Sequence, residues 1–227
     1  MPSCRLMEDT PTPTLPHLLL ATRNRHKTAQ FAVALAGLFQ VSDMADSNSP
    51  EVEETGVTFK ENAVIKAVEV SRLHPDSLVL ADDSGICVEA LGGAPIEGTE
   101  LIPWPGVYSA RYAGPGATDA QNNAKMLADL EAIGALAPAQ RGAYYQCVLA
   151  LAERGRLVHT TEGRVEGRVL TEPRGAQGFG YDPFFVPHGR VDDRTFAELS
   201  DAEKLPFSHR GKALAAMVEF LAGYRPQ

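Results

Sequence analysis

The chain has 227 residues, of which 44% are hydrophobic and 22% charged, a balance typical of a folded globular protein. This composition excludes a disordered chain, a collagen-like repeat and a small disulfide-stapled fold. The 21 basic and 29 acidic residues give a formal net charge of -8, so attraction to the backbone of DNA or RNA would be weak or repulsive. We therefore expect no polymeric nucleic acid as a partner, although a small anion needs only a local group of cations.

The cysteines and the N-terminal segment favour a location in the cytoplasm. Cys4, Cys87 and Cys147 are odd in number and lack the spacing of a zinc site, which is typical of a reducing compartment. No apolar run approaches the roughly 18–20 residues of a membrane span, so we expect no contact with a membrane. Residues 1–16 lack the apolar stretch of a signal peptide, and we expect them to form a flexible extension before a single domain at 17–227.

The N-terminal half alternates predicted strands and helices. Thr58-Phe-Lys-Glu61 has the form of a capping box, and the helix that follows should end at His74-Pro75. In chain order the predicted elements are a strand at 17–22, a helix at 24–38, a strand at 39–42, a loop at 43–54, a helix at 58–73, a strand at 78–81, a turn at 82–85 and a strand at 86–89.

The C-terminal half adds two long runs of strand-forming residues. The runs at 144–151 and 157–170 are separated by Glu153-Arg-Gly-Arg156, which is typical of a hairpin turn. A second capping box, Thr118-Asp-Ala-Gln121, predicts a helix to about Ile133, and residues 208–224 have apolar side chains at helical spacing. The sequence therefore predicts an α/β fold in which long antiparallel strands join parallel α/β units.

The first group of candidate site residues lies between a predicted strand and helix, in Thr22-Arg-Asn-Arg-His-Lys27. Free N–H groups at the start of a helix bind phosphate oxygens, Lys27 would add a mobile positive charge, and Thr22 and Asn24 would add neutral donors. An N-capped helix with a few surface cations explains the same fragment equally well.

The second group is acidic and consists of Glu53, Glu54, Asp82 and Asp83. Magnesium prefers oxygen ligands and keeps several waters, so one or two carboxylates together with substrate phosphates suffice to bind it. Acidic pairs are usually solvated surface, but Asp82 and Asp83 directly follow an apolar strand, and ligands of α/β proteins bind at strand ends.

The third group is the glycine-rich segment Gly175-Ala-Gln-Gly-Phe-Gly-Tyr-Asp182, where backbone could approach a ligand closely. Either Phe179 or Tyr181 could stack on a base, although a glycine-rich turn between strands would look similar. Lys204 and the segment Ser208-His-Arg-Gly211 place further cations near the start of the last helix.

Together these segments resemble the inosine triphosphate pyrophosphatase family, over residues 18–221. The resemblance rests on seven segments that occur in the family's order: Thr22-Arg-Asn-Arg-His-Lys27, Glu53-Glu-Thr-Gly56, Thr58-Phe-Lys-Glu-Asn62, Ala81-Asp-Asp-Ser-Gly85, Tyr108-Ser-Ala-Arg-Tyr112, Phe179-Gly-Tyr-Asp-Pro183 and Ser208-His-Arg-Gly211.

The resemblance implies a single elongated α/β fold, with a central mixed sheet, flanking helices and two lobes around a nucleotide cleft. It implies a homodimer and Mg²⁺-dependent hydrolysis of ITP, dITP and XTP to the monophosphate and pyrophosphate. Two other functions stay open: a nucleotide-binding sensor without catalysis, and a pyrophosphatase for modified pyrimidine nucleotides.

Residue roles follow from the same resemblance. Asp83 would be the catalytic base and a metal ligand, and Glu53 or Glu54 would complete the metal site. The substrate-binding residues would be Thr22, Arg23, Asn24, Arg25, His26, Lys27, Lys66, Ser84, Phe179, Gly180, Tyr181, Asp182, Lys204, His209 and Arg210.

One segment departs from the family pattern. Residues 96–105 intervene between Pro95 and Gly106, which are adjacent in most family members. The prolines and Trp104 in this insertion predict an irregular, projecting surface loop. Because the predicted phosphate and metal residues lie outside it, we expect the insertion to be dispensable for chemistry.

Overall fold

A mixed six-stranded sheet forms the centre of the protein, seen in a computed structural model that describes residues 15–93 and 101–225. The strands are β1 (His17–Leu20), β2 (Gln40–Asp43), β3 (Leu78–Val88), β4 (Gly142–Glu153), β5 (Arg156–Val169) and β6 (Phe185–Pro187). Their order across the sheet is β2-β1-β3-β4-β5-β6, with β1 parallel to β2 and β3 and the remaining pairs antiparallel. The predicted mixed sheet of parallel and long antiparallel strands is confirmed.

The helices are α1 (Arg25–Ala34), α2 (Phe59–Leu73), α3 (Asp119–Ala132), α4 (Asp201–Lys204) and α5 (His209–Gly223). Both predicted capping boxes are present, at Thr58 for α2 and at Thr118 for α3. Helix α1 ends at Ala34, earlier than predicted, with Leu35 as its C-cap. Gly37 then takes a left-handed conformation with φ of 78°, which keeps the helix from continuing to Leu38.

The turn predicted at residues 82–85 is wrong, since β3 continues through this polar stretch without interruption. Asp82 pairs with Leu149 and Gly85 with Gln146 on β4, in the same antiparallel register as the apolar residues on either side. The polar side chains are accommodated because cations from the flanking helices meet them. Gly85 is required here, since a Cβ at this position would lie 2.5 Å from the carbonyl oxygen of Gly106.

Helices cover both faces of the sheet. Helix α2 packs on one face, in a core that contains Ala63, Ala67, Val79 and Ala81. On the opposite face α1 and α5 pack over Leu80, Leu149 and their neighbours, and a separate cluster surrounds Ile86 and Phe185. Asp82 and Ser84 lie on β3 between Leu80 and Ile86, so a polar gap divides these two cores. The gap accounts for the predicted two lobes around a cleft.

The described part of the insertion, residues 101–105, is tied to the end of β3. Trp104 accepts a backbone hydrogen bond from Val88 at 2.9 Å and donates one to Gly92 at 2.6 Å. Its ring lies 5.1 Å from that of Tyr108, and Ile102 packs against the α2-side core. The predicted irregular conformation is confirmed for this part, but its projection into solvent is wrong, because apolar side chains draw it onto the fold.

Two sequence predictions fall wholly or partly outside the described residues. Residues 1–14 of the predicted extension lie there, as do residues 96–100 of the insertion. Pro16 accepts a hydrogen bond from the backbone of Gln40 at 2.9 Å, so the chain has joined the sheet by this point. Within residues 15–93 and 101–225, no helix is long and apolar enough to cross a membrane.

We expect Gly163→Ala to destabilise the protein. A Cβ at Gly163 on β5 would lie 2.1 Å from the carbonyl oxygen of His209 and 2.6 Å from the amide nitrogen of Ala213, both backbone atoms of α5. Helix α5 would have to move, at a cost of about 2 kcal/mol in the free energy of unfolding. Chemical denaturation measures the change. Gly223→Ala is the control, because no atom lies within 4 Å of its added Cβ; equal stability of the two variants would contradict the close packing of α5.

Candidate active site

Two consecutive carboxylates on β3 point to opposite faces of the sheet, because side chains alternate along a strand. Asp82 faces α1 and α5, where it contacts Lys27 and Arg210. Asp83 faces α2, in the neighbourhood of Lys66 and Glu54. Both carboxylates are buried, so each depends on the charges that its own face of the sheet supplies.

Asp82 is held by two cations and a hydroxyl. The Lys27 ammonium lies 3.0 Å from Oδ1 and 2.9 Å from Oδ2, and Ser84 donates to Oδ2 at 3.2 Å. The Arg210 guanidinium is 3.6 Å away. Burial alone would raise the pKa of Asp82, but Lys27 and Arg210 outweigh it and hold the pKa well below its usual range. Asp82 therefore stays ionised and fixes both cations.

Asp83 lies in a different electrostatic environment. Burial, reinforced by the Glu54 carboxylate, raises its pKa to about 6 against the opposing charge of Lys66. Its Oδ2 atom is buried without a hydrogen-bond partner, which is unusual for a buried carboxylate oxygen. Asp83 thus combines raised basicity with a free acceptor atom, two properties that suit a general base or a ligand to a cation.

Lys66 and Glu54 complete the charged cluster around Asp83. The Lys66 ammonium lies 2.5 Å from Glu54 and donates to the backbone carbonyl of Asp82 at 3.0 Å. Burial would lower the pKa of Lys66, but the surrounding carboxylates raise it, so the ammonium stays charged. Arg111 lies 3.7 Å from the other Glu54 oxygen. Of the two glutamates predicted as ligands, Glu54 lies in this cluster, whereas Glu53 is exposed.

Thr22 and Asn24, in the segment between β1 and α1, and Lys27, in the first turn of α1, line a cavity of about 240 Å³ that also contains Glu54 and Lys66. Asn24 is the N-cap of α1 and accepts hydrogen bonds from the backbone amides of His26 and Lys27, at 3.0 and 3.3 Å. The capped-helix interpretation of this fragment is therefore correct for Asn24. It does not exclude ligand binding, since Asn24 also lines the cavity.

The other three residues of the segment have different contacts. Arg23 lines the cavity, but its guanidinium donates to the carbonyls of Met44, Ser47 and Ser49, at 3.2, 3.0 and 2.6 Å. These three hydrogen bonds anchor the loop that leads to Glu54. Arg25 forms an exposed ion pair with Asp46, at 2.9 Å. His26 is exposed, with its ring 6.2 Å from that of Phe179.

A second cavity of about 250 Å³ adjoins the first, and Asn24 and Lys27 line both. Its walls come from β3, α1, α5 and the glycine-rich segment. Among the predicted residues they include Ser84, Phe179, Gly180, Tyr181, Asp182, Lys204, His209 and Arg210. The two adjoining cavities form one cleft, in which the first contains Glu54 and Lys66, and the second combines further charged side chains with aromatic rings.

The glycine-rich segment separates the two aromatic candidates. Phe179 is half-buried, whereas Tyr181 is 3% exposed and its hydroxyl donates to the carbonyl of Ser109 at 2.8 Å. Phe179 is therefore the ring available for stacking. Asp182 is buried and paired with Lys204 at 3.1 Å, and burial raises its pKa despite this partner.

His209 and Arg210 begin α5 at the floor of this cavity. The His209 ring stacks on Tyr145, with 4.6 Å between centroids and 9° between planes. Burial and the Arg210 charge hold the pKa of His209 well below its usual range, so the imidazole is neutral. Arg210 donates to Gln30 at 3.1 Å and to Ser84 at 3.0 Å. His209 Nδ1 and Arg210 Nε are buried without partners.

Residues that were not predicted also contribute to the site, among them Gln30, Asn62, Arg111 and Tyr145. Helical spacing could have found two of them, because Gln30 lies one turn after Lys27 on α1 and Asn62 one turn before Lys66 on α2. Cys147 was not predicted to adjoin the site either. It lies on β4 opposite Ser84, fully buried, and burial together with Asp82 raises the pKa of its thiol to about 12.

The model of the Ham1 family matches residues 18–220, nearly the whole sheet and every element around the cleft. The chain belongs to the Ham1 family. Two bacterial Ham1 relatives are each named dITP/XTP pyrophosphatase. The Bacillus licheniformis protein is 42% identical over 206 residues, which are 90% of this chain and 97% of the relative. The Shouchella clausii protein is 43% identical over 214 residues, or 92% and 98% of the two chains.

Solved structures of Ham1 proteins share the fold. A HAM1 protein from Coxiella burnetii superposes with a TM-score of 0.78 at 37% identity, covering 92% of this chain and all of that one. A Mycobacterium abscessus structure titled nucleoside-triphosphatase / dITP/XTP pyrophosphatase gives 0.66 at 40% identity, covering 89% and 98% of the two chains.

The Asp83 and Glu54 carboxylates fit a metal cation that keeps most of its water ligands. Within residues 15–93 and 101–225, no group of three or more His, Cys, Asp or Glu side chains could enclose a metal ion. The Asp83 and Glu54 carboxylates would each supply one oxygen ligand, which leaves the second Asp83 oxygen free as an acceptor. Two carboxylates are the usual protein contribution to a magnesium ion that is also bound by substrate phosphates.

We expect Asp83→Asn to stabilise the metal-free protein at pH 8. The folded-state pKa of about 6 exceeds the ~3.9 of an unfolded aspartate, so ionised Asp83 costs folding free energy above pH 6, and the cost disappears as the pH falls below 4. The asparagine should add on the order of 2 kcal/mol at pH 8 and almost nothing at pH 4. Urea denaturation with a chelator at both pH values measures this, with the exposed Asp46→Asn as control. The same gain at pH 4 as at pH 8 would show that ionisation of Asp83 is not the cause.

Proposed function

We propose that this protein hydrolyses the non-canonical purine nucleotides ITP, dITP and XTP to the monophosphate and pyrophosphate. The observation that carries the proposal is the pair of adjoining cavities that joins Lys27, Lys66 and Glu54 to the Phe179 ring. Asp83 is buried beside this charged end, in the neighbourhood of Lys66 and Glu54. A nucleoside triphosphate has the same division between phosphates and base. The names of the Bacillus and Shouchella relatives support the substrate class.

The triphosphate would lie at the charged end of the cleft. Lys27 is suited to bind the phosphates, because its side chain lines both cavities and is positioned by Asp82. Asn24, which caps α1 and also lines both cavities, would add a neutral side-chain donor beside Lys27. Asp82 would keep Lys27 and Arg210 in position, so these cations need little rearrangement when the nucleotide arrives.

Magnesium would be held by Asp83 and Glu54 together with the phosphates. When bound, it would neutralise phosphate charge and stabilise the departing pyrophosphate. Lys66 would share this task, because its ammonium lies against Glu54 and the backbone of Asp82. Since Lys66 and Glu54 are already paired, the carboxylate is positioned before the substrate binds.

Asp83 would accept the proton of the attacking water. The water attacks the α-phosphorus, the bond to the bridging oxygen breaks and pyrophosphate leaves. A carboxylate with a pKa raised to about 6 is still ionised at neutral pH and is a stronger base than an exposed aspartate. Its unpartnered Oδ2 leaves an acceptor position for the water proton.

The base would stack on Phe179 and be identified by His209 and Arg210. Hypoxanthine and xanthine carry an acceptor oxygen at position 6, whereas adenine carries an amino donor there. The unpartnered His209 Nδ1 and Arg210 Nε indicate that α5 has polar capacity that the folded protein does not use. Adenine would leave a buried donor unpaired, a mismatch that costs orders of magnitude in specificity.

The remaining features of the proposal concern assembly and location. We propose a homodimer in the cytoplasm, in keeping with the family resemblance. The two cysteines that the structure describes, Cys87 and Cys147, are buried free thiols, as expected in a reducing compartment.

We expect purified protein with magnesium to release pyrophosphate from ITP, and Asp83→Asn to lose at least about a thousandfold in turnover, or ~4 kcal/mol of barrier. The amide keeps the shape but cannot accept the proton or bind magnesium as an anion. Separate detection of pyrophosphate and orthophosphate across a panel of purine and pyrimidine triphosphates is the measurement. A chelator and the exposed Asp46→Asn are the controls.

Three outcomes of this assay would contradict the proposal. Orthophosphate as the first product would place cleavage at the wrong bond. Binding of ITP without any product would indicate a nucleotide sensor. Preference for a modified pyrimidine triphosphate would change the substrate class.

We expect Arg210→Ala to reduce the preference for ITP over ATP by at least about tenfold in kcat/KM. Arg210→Lys keeps the charge near Asp82 but lacks the planar donor group, so it should also lose selectivity while retaining more turnover. Steady-state kinetics with both nucleotides measure the ratio. If the alanine variant discriminates as well as the parent protein, Arg210 does not read the base.

A further inference from the structure

Helix α3 holds the loop that carries Phe179 through two side chains, Asp119 and Asn123. Asp119 Oδ2 accepts a hydrogen bond from the backbone amide of Gly180 at 2.7 Å. Asn123 Nδ2 donates to the carbonyl of the same glycine at 2.8 Å. The two side chains are four residues apart and so lie on one face of the helix. One turn of α3 therefore binds both the backbone N–H and the carbonyl of Gly180.

The Asn123 side chain is fixed by further contacts. It is 8% exposed, and Nδ2 also donates to the backbone carbonyl of Asp119 at 2.9 Å. Neighbouring Asn122 accepts from the amide of Ala113 at 2.8 Å and donates to the carbonyl of Ala110 at 3.2 Å. Helix α3 is thus joined to the segment 110–113, and the hydrogen bonds to Gly180 start from an anchored support.

The two hydrogen bonds to Gly180, which we call the clamp, act directly beside the Phe179 ring. Gly180 directly follows Phe179 and takes a left-handed φ of 64°, a conformation that costs glycine little and other residues more. Phe179 then presents its ring 5.7 Å from the Arg210 guanidinium and 6.2 Å from His26. A change at Gly180 would alter the spacing between the stacking ring and α5.

We propose that Asp119 and Asn123 are positioning residues that hold the base-stacking platform at Phe179. The proposal rests on the proposed function, because it assigns the Phe179 ring to the base of the nucleotide. A platform fixed before binding avoids the entropy cost of ordering the loop with each substrate. The clamp should therefore affect nucleotide affinity and base selectivity more than turnover, because neither side chain contacts Asp83 in the hydrogen bonds it makes.

The test compares substitutions on α3 in the full chain. Asp119→Ala and Asn123→Ala each remove one hydrogen bond to Gly180, and Asp119→Asn keeps an oxygen acceptor while losing the charge. Asn123 is the decisive position, because Asp119 also lines the cleft. The exposed Glu131→Ala on the same helix is the control. We would measure KM and kcat for ITP, inhibition by inorganic triphosphate, and hydrogen exchange of residues 176–184 without nucleotide.

Both alanine variants should raise KM for ITP by about tenfold with kcat changed less than about threefold. Inhibition by inorganic triphosphate, which has no base, should be unchanged. Exchange at 176–184 should accelerate while α5 keeps its protection, and Asp119→Asn should behave nearly as the parent protein does.

Unchanged KM and unchanged exchange in both alanine variants would overturn the proposal. Equal losses of ITP and inorganic triphosphate binding would also overturn it, because they would indicate general damage to the fold. The exchange measurement needs no substrate, so it tests the clamp even if the parent protein fails to hydrolyse ITP. Faster exchange with no hydrolysis of ITP by the parent protein would retain the clamp and reject the proposed function instead.

Discussion

Side-chain alternation along β3 is the constraint on which the site depends. Because Asp82 and Asp83 are consecutive, one carboxylate emerges on each face of the sheet, and each meets a different helix. Lys27 and Arg210 reach Asp82 from α1 and α5, whereas Lys66 reaches the other face from α2. Charged side chains from three helices thereby gather around one strand, on both faces of the sheet.

The two carboxylates show how position decides chemistry. Asp82 has cations close enough to overcome the cost of burial, and its pKa falls, whereas Asp83 shares Lys66 with Glu54, and its pKa rises. One residue is thus a permanent anion that organises its surroundings, and the next is a base with an unused acceptor atom. Natural proteins often retain such an unfavourably buried charge, at a cost in folding free energy, where a reactive group is needed.

The sequence was sufficient for the elements whose signals are local. Capping boxes at Thr58 and Thr118 located two helices, and the turn at Arg154-Gly155 separated two long strands. The path of β3 through residues 82–85 was not predictable, because polar residues normally end a strand and the compensating cations come from distant segments. The role of Arg23 was not predictable for a related reason. Its partners are backbone carbonyls, and every residue has one, so the sequence does not show which of them a side chain will contact.

Cys147 sits fully buried across from Ser84, within the field of the same charges that form the cleft. Oxidants and alkylating agents attack the thiolate, and a thiol whose pKa is raised to about 12 is almost never in that form at neutral pH. The carboxylate beside it reinforces this protection, since a second negative charge next to Asp82 would be repelled. The Cys147 sulfur can therefore lie beside a charged cleft with little reactivity of its own, and its modification would require a local opening that separates β3 from β4.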